Sequence, residues 1–158
     1  MEKKMLSVLI SLCLICFPFL FRGSMMKQNL IVFFSKGVVS TLVDTYVVSE
    51  KRVAYPIRPF PGVFKTNIVF DMLFFPLLSV IWVRQTYNDG LWKILWKSLT
   101  WSVPMSITQW FLVKYTKLIQ WKKWSAFHTF GYVSFTLFII RGLVSVVKRL
   151  DQAKSTQY

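Results

Sequence analysis

The chain has 158 residues, 54% of them hydrophobic and 18% aromatic, with a mean hydropathy of +0.48. Twenty Lys and Arg against six Asp and Glu leave a formal charge of +14. A soluble domain of this size hides one core under amphipathic helices. Here the apolar runs are apolar on all faces and the charges collect between them, which excludes an ordinary soluble bundle.

Five such runs follow one another, at residues 5–21, 29–48, 66–83, 98–113 and 127–147. A bilayer crossing needs ~17–25 mostly apolar residues, because a helix rises ~1.5 Å per residue through ~30 Å of hydrocarbon. The expected fold is therefore all-α, an integral membrane bundle of five transmembrane helices in a single multi-pass domain spanning 1–158. A polar tail, residues 148–158, is expected to fray.

The first run follows Met1-Glu2-Lys3-Lys4, as a signal peptide would, but no small-x-small cleavage site comes after it. It is read as an uncleaved anchor; cleavage would leave four spans. It also holds Cys13 and Cys16. A Cys-x-x-Cys pair inside hydrocarbon lacks the exposure of a redox thiol, and the segment has no further ligands for zinc, so both are read as small apolar fillers.

The second run carries Lys36 and Asp44, with Lys36, Ser40 and Asp44 repeating on one helical stripe beside Gly37 and Thr41. Lys36 and Asp44 lie ~12 Å apart along such a helix and are not expected to pair directly. The following loop, Tyr55-Pro56-Ile57-Arg58-Pro59-Phe60-Pro61-Gly62, is stiffened by three prolines and reads as a segment in the headgroup layer. The third run carries Asp71, and Pro76 is expected to bend it. In the fourth, Ser98, Ser102, Ser106 and Gln109 form a stripe of the small and polar kind found where membrane helices meet, and Pro104 lies within it. The fifth opens near His128 and carries Ser134, Arg141 and Ser145 on one stripe.

Counted by loops, an inside N-terminus places ten basic residues inside and eight outside, so N-inside is the expected orientation. The basic excess would meet anionic lipid headgroups, at ~1 kcal/mol per residue near the surface, rather than nucleic acid. Trp92, Trp96, Trp101, Trp110, Trp121 and Trp124 flank the last two spans in the manner of an interfacial belt.

A charge deep in the bilayer costs at least ~2.5–3.5 kcal/mol, so the intramembrane polar residues hold the most information. Because successive spans alternate in direction, Asp44, Asp71, Gln109 and His128 all fall within ~8 Å of the face that carries the second and fourth loops. Lys36 and Arg141 lie nearer the opposite face. Two readings follow. In one, the acids pair with Lys51, Arg52, Arg58 or Lys65, while Lys36 and Arg141 pack or snorkel toward the far side. In the other, Asp44, Asp71, Gln109 and His128 line a polar pocket in which two acids share a proton or hold a cation.

Enzymatic signals are weak. There is a single His, no Gly-x-Ser-x-Gly, no phosphate loop, and no Gly-x-Gly-Asp around Asp71. The chain is read as a non-enzymatic membrane component without a cofactor, structural or partner-binding. The alternative is a small transporter or ion-coupled binding protein using its acids. Contact with a second copy or another membrane protein is a further expectation.

Several segments carry a resemblance: Lys36-Gly37 with Asp44, the loop from Tyr55 to Pro61, Phe70-Asp71 with Phe75-Pro76, Thr86-Tyr87, Ser102-Val103-Pro104-Met105 and Thr116-Lys117-Leu118-Ile119. Together, from about Asn29 to Arg149, they resemble an uncharacterised family of small multi-pass membrane proteins of Bacillus and Clostridium relatives. The resemblance implies a bacterial plasma membrane and an integral helical fold, and no known activity. It also implies an acid at the position of Gln109, where this chain departs.

Overall fold

Long apolar stretches favour helix, which satisfies its own backbone, and the computed structural model, which describes residues 1–155, is mainly helical. Helix α1 spans Glu2–Leu20 and α2 spans Met26–Ser49. Gly23 turns the chain between them at φ +93°, a conformation that L side chains resist. Asn29 of α2 donates from Nδ2 to the Leu20 carbonyl at 2.6 Å, occupying one of the acceptors that the end of α1 leaves free.

After α2 the chain makes a short strand, β1 (Val53–Ala54), then the proline loop. Helix resumes at residue 68, widens into a π-helical turn at Phe70–Phe74, and continues as α3 (Phe75–Thr86). Pro76 accounts for the wide turn. It has no N–H to offer the Met72 carbonyl and its ring would press on that oxygen, so the ladder shifts by one residue. Helix α4 (Leu91–Tyr115) carries Pro104 without interruption. A second short strand, β2 (Gln120–Trp121), leads into α5 (Ala126–Ser155). The strands pair antiparallel, Val53 with Trp121 and Ala54 with Gln120, and the Arg52 carbonyl accepts from the backbone N–H groups of Lys122 and Lys123. The second and fourth connections are thus tied into one cap over one end of the bundle.

Three helices, α1, α2 and α5, are long and apolar enough to cross a membrane. The sequence reading expects five. Helix α3 is only 12 residues beyond its five-residue π turn, and serines, tryptophans and Gln109 dilute the hydropathy of α4. The tail expected to fray from residue 148 instead continues α5 to Ser155, because no glycine, proline or cap interrupts the ladder there. Lys148 sits over the Tyr87 ring at 4.3 Å, and the last three residues of the expected tail lie outside the described residues.

The serine stripe of α4 is where that helix meets α5. Ser98, Ser102 and Ser106 are buried, and Ser134 Oγ of α5 donates to Ser102 Oγ at 2.9 Å. Helix α2 lies against the π turn and α3 through Gly37, where an added Cβ would stand 3.8 Å from Pro76 Cγ, an ordinary contact. Two apolar clusters result. One, containing Val32, Val80, Trp82, Val83, Ile140 and Val144, fills the end near the α3 C-terminus. The other, containing Val47, Val53, Tyr55, Phe70, Leu118 and Ile119, sits under the cap. Cys13 belongs to the first cluster, and Cys16 is exposed on the outside of α1; the two are not bonded to each other.

Outside the bundle the exposed residues are large and apolar. On α2, Phe34, Val38, Leu42 and Tyr46 form an outward row at four-residue spacing, and on α1 Val8, Leu12, Ile15 and Phe19 form one at alternating four- and three-residue spacing. The buried polar side chains, by contrast, point inward. Ser102→Leu, which overfills the α4–α5 contact, should destabilise the protein by about 1–3 kcal/mol. Ser102→Ala should cost only about 0.6 kcal/mol, the worth of one interhelical hydrogen bond in such a bundle. Thermal unfolding in detergent separates the two.

Candidate functional site

The inward stripe of α2 brings Lys36, Ser40 and Asp44 to the centre of the bundle, one helical turn apart from each other. The π turn delivers Asp71 to the same place from the neighbouring helix. The Asp44 and Asp71 carboxyls face each other, Tyr55 of the cap faces Asp44, and Thr66 faces Asp71. Asp71 is only 1% exposed. One carboxylate oxygen on each acid, Oδ2 in both, is buried with no hydrogen-bond partner. Buried polar atoms in folded proteins are nearly always partnered, and these are the two carboxylate oxygens among the described residues that are not.

A cavity of about 20 Å³ adjoins Asp44, lined also by Tyr55, Gln109, Trp124 and Tyr132 among others; Asp71 is not part of its wall. Its volume exceeds the ~10–15 Å³ that one water requires. Tyr132 forms part of this cavity and of a second one, also about 20 Å³, that contains Lys36 and Ser79. Tyr132 donates to Ser40 Oγ at 3.1 Å, and Lys36 lies 5.1 Å from the centre of its ring. Lys36 Nζ donates to Thr136 Oγ1 at 2.5 Å and stands in the field of Asp71. Beyond Lys36 the interior turns largely apolar, with Val80, Trp82 and Ile140 each 0% exposed.

Burial pushes the Tyr55 phenol well above its ordinary range, and the neighbouring Asp44 and Asp71 carboxyls push it further. The phenol therefore stays protonated and acts as a donor over the acids. No cation of the second loop reaches them. The ion pairs among the described residues are Lys97 with Asp89 and the N-terminal amine with Glu2. Arg58, one of the expected partners, is occupied by its own loop, donating to the carbonyls of Tyr55 at 2.6 Å and Phe64 at 2.7 Å. A planar five-donor fork satisfies several backbone carbonyls more readily than it crosses an apolar cap to reach a carboxylate.

The structure thus brings together Asp44, Asp71 and Gln109, and adds Lys36. Gln109 Oε1 accepts from Thr129 Oγ1, which in turn accepts from Trp124 Nε1 at 2.9 Å. His128 does not join them. It is exposed, shares a 2.8 Å hydrogen bond through Nδ1 with Ser125, stacks on Trp124 at 5.1 Å, and lines an outer groove. One residue separates His128 from the inward stripe of Thr129, Tyr132 and Thr136, a rotation that depth along the helix does not reveal. Lys36 is a correction of a different kind. Expected to reach toward the far face, it is 3% exposed and stays in the core. Arg141 does not extend outward either; its Nη2 donates to the carbonyls of Thr86 at 3.2 Å and Tyr87 at 3.0 Å and holds the end of α3.

Tyr55, Tyr132 and Thr136 were not picked out by the sequence reading. The stripe Thr129-Tyr132-Thr136, spaced i, i+3, i+7, was visible on α5, whereas nothing local marked Tyr55 as buried, since aromatic residues beside prolines suit a headgroup layer equally well. Among the described residues no three His, Cys, Asp or Glu side chains converge on a metal site. Compared with protein-family models, curated proteins and solved structures, the chain matches none.

Fully ionised, Lys36, Asp44 and Asp71 carry one negative charge in excess, and a buried uncompensated charge costs several kcal/mol. Lys36→Met should therefore destabilise the bundle by about 3–5 kcal/mol, because it takes the buried positive charge away from the field of Asp71 and leaves the carboxyls uncompensated. Adding Asp71→Asn to Lys36→Met should recover much of that loss. Unfolding of the single and double variants in one detergent measures the coupling.

Proposed function

We propose that this chain is an integral membrane protein with five spans, set in a bacterial plasma membrane, and that its core binds one proton or one monovalent cation between Asp44 and Asp71. It acts without covalent catalysis, as an ion-responsive membrane component. The observation that carries this reading is the pair of neighbouring acids, each with a buried Oδ2 that has no hydrogen-bond partner, and a cavity at Asp44 wide enough for one water-sized ligand. One proton or one monovalent cation makes the Lys36–Asp44–Asp71 set neutral, which hydrocarbon surroundings favour strongly.

Five crossings are supported by the inside-out distribution of polarity, with apolar rows facing outward on α1, α2, α4 and α5. The helical run over residues 68–86 would cover about 28 Å, close to the hydrocarbon thickness, when its π turn is counted with α3. Trp92 and Trp96 at one end of α4 and Trp110 toward the other suit two interfacial belts. In this reading the cap of the second and fourth connections lies on the cytoplasmic side, with the N-terminus: the Lys117 backbone N–H lies against the Glu2 carboxylate.

The apolar cluster beyond Lys36 favours a site reached from the cap side alone. That arrangement suits sensing or one-sided binding more than a continuous pathway.

In reconstituted protein, Asp44→Asn and Asp71→Asn should each remove the infrared band of a protonated buried carboxyl while leaving insertion and abundance normal. Neither variant should rescue a deletion phenotype. Loss of abundance in both variants, with no carboxyl band in the parent, would mean that the acids only set helix register. A chain that stays folded and dispersed without lipid or detergent would refute the membrane assignment itself.

A further inference from the structure

A second feature lies outside the acid site, on the outward side of α4 and α5. An apolar groove of about 500 Å³ runs between these helices, walled by Val103, Ile107 and Trp110 on one side and Ala126, Phe127 and Phe130 on the other. Its size falls within the ~300–1,000 Å³ of ligand pockets. The one hydroxyl in the lining, Ser106 Oγ, donates inward to the Ser102 carbonyl at 2.7 Å and leaves no polar group to solvate. In an aqueous protein this would be an aggregation hazard. Among acyl chains it is a slot.

The two ends of the groove differ in charge. At the cap end, Lys114 Nζ stands 4.9 Å from the Trp110 ring centre and 5.6 Å from that of Tyr115, which holds an ammonium directly above the wall of the slot. Lys122 and Lys123, both exposed, precede the opposite wall by three to five residues. No Asp or Glu occurs between Gly90 and Leu150, and none of these three lysines has an ion-pair partner among the described residues. Toward the other end of α4 the nearest lysine, Lys97, is already paired with Asp89 at 2.5 Å.

We infer that the α4–α5 groove is a binding site for one anionic phospholipid, its acyl chain against Ile107, Trp110 and Phe130 and its phosphate between Lys114, Lys122 and Lys123. This inference rests on the membrane reading above and not on the acid pair. An uncharged lipid would fill the slot equally well but would leave three ammonium groups without a counter-ion. Each basic residue near the surface gives roughly a fivefold preference for an anionic headgroup.

The test uses the full chain in phosphatidylcholine vesicles doped with acyl-brominated phosphatidylglycerol or acyl-brominated phosphatidylcholine, read by tryptophan quenching. The Trp110 signal is the difference between the parent and Trp110→Phe. We expect the brominated phosphatidylglycerol to quench that signal at a mole fraction at least about fivefold lower than the brominated phosphatidylcholine. Lys114→Gln/Lys122→Gln/Lys123→Gln should bring the two lipids to parity, with vesicle flotation showing that the variant still inserts. Equal quenching by both lipids in the parent, or a preference that survives in the triple variant, would overturn the lipid site while leaving the membrane reading intact. Failure of the parent to float with vesicles would overturn both.

Discussion

Two carboxylates and one ammonium share an interior that loop cations do not reach, and the rest of the molecule is arranged around that imbalance. Lys36 and Asp44 come from α2 and Asp71 from the π turn ahead of α3. Their charges cannot all be expressed without an added positive partner, because low-dielectric surroundings magnify any unpaired charge. The neighbouring groups soften the imbalance. Tyr55 stays a neutral donor above Asp44, Tyr132 covers Lys36 with its ring, and Thr136 takes the ammonium hydrogen bond. One oxygen on each acid is left without a hydrogen-bond partner.

The backbone geometry that makes this arrangement possible is itself a consequence of one proline. Pro76 forces the wide turn at Phe70–Phe74, and the turn rotates Asp71 relative to an uninterrupted helix. π turns recur at functional sites for that reason: they move a single side chain without unravelling the element. At the same level α2 passes Pro76 at Gly37, with room for a Cβ at 3.8 Å from the proline ring. The cap contributes from above, since the β1–β2 pairing brings the second connection inward far enough to bury Tyr55 at 4% exposure.

Polarity is divided along the bundle as well as across it. The half beneath the cap holds the acids, Gln109, Thr129 and the small cavities. The other half is closed by Val80, Trp82, Val83 and Ile140, and it ends where Arg141 gathers the last carbonyls of α3 and Lys97 meets Asp89. The half beneath the cap is thus the more polar of the two. On the outer side Lys114, Lys122 and Lys123 lie toward the same end of the apolar α4–α5 groove, so one end of the molecule concentrates both of the proposed binding features.

The sequence by itself determined what depends on composition and on distance along a helix. Runs of apolar residues make helices, serines at four-residue spacing on α4 make a helix contact, and Asp44, Asp71 and Gln109 share a level because alternating helices place equal offsets at equal depth. Rotation about each axis was legible only where a stripe repeated, as for Lys36, Ser40 and Asp44. It was hidden for His128, which sits at the right depth and faces outward. Tertiary structure alone decided that Lys36 stays inside, that Arg58 serves its own loop and that Tyr55 closes over the acids. Each of these depends on which surface a neighbouring element presents, and no local pattern of residues encodes the position of a partner far away in the chain.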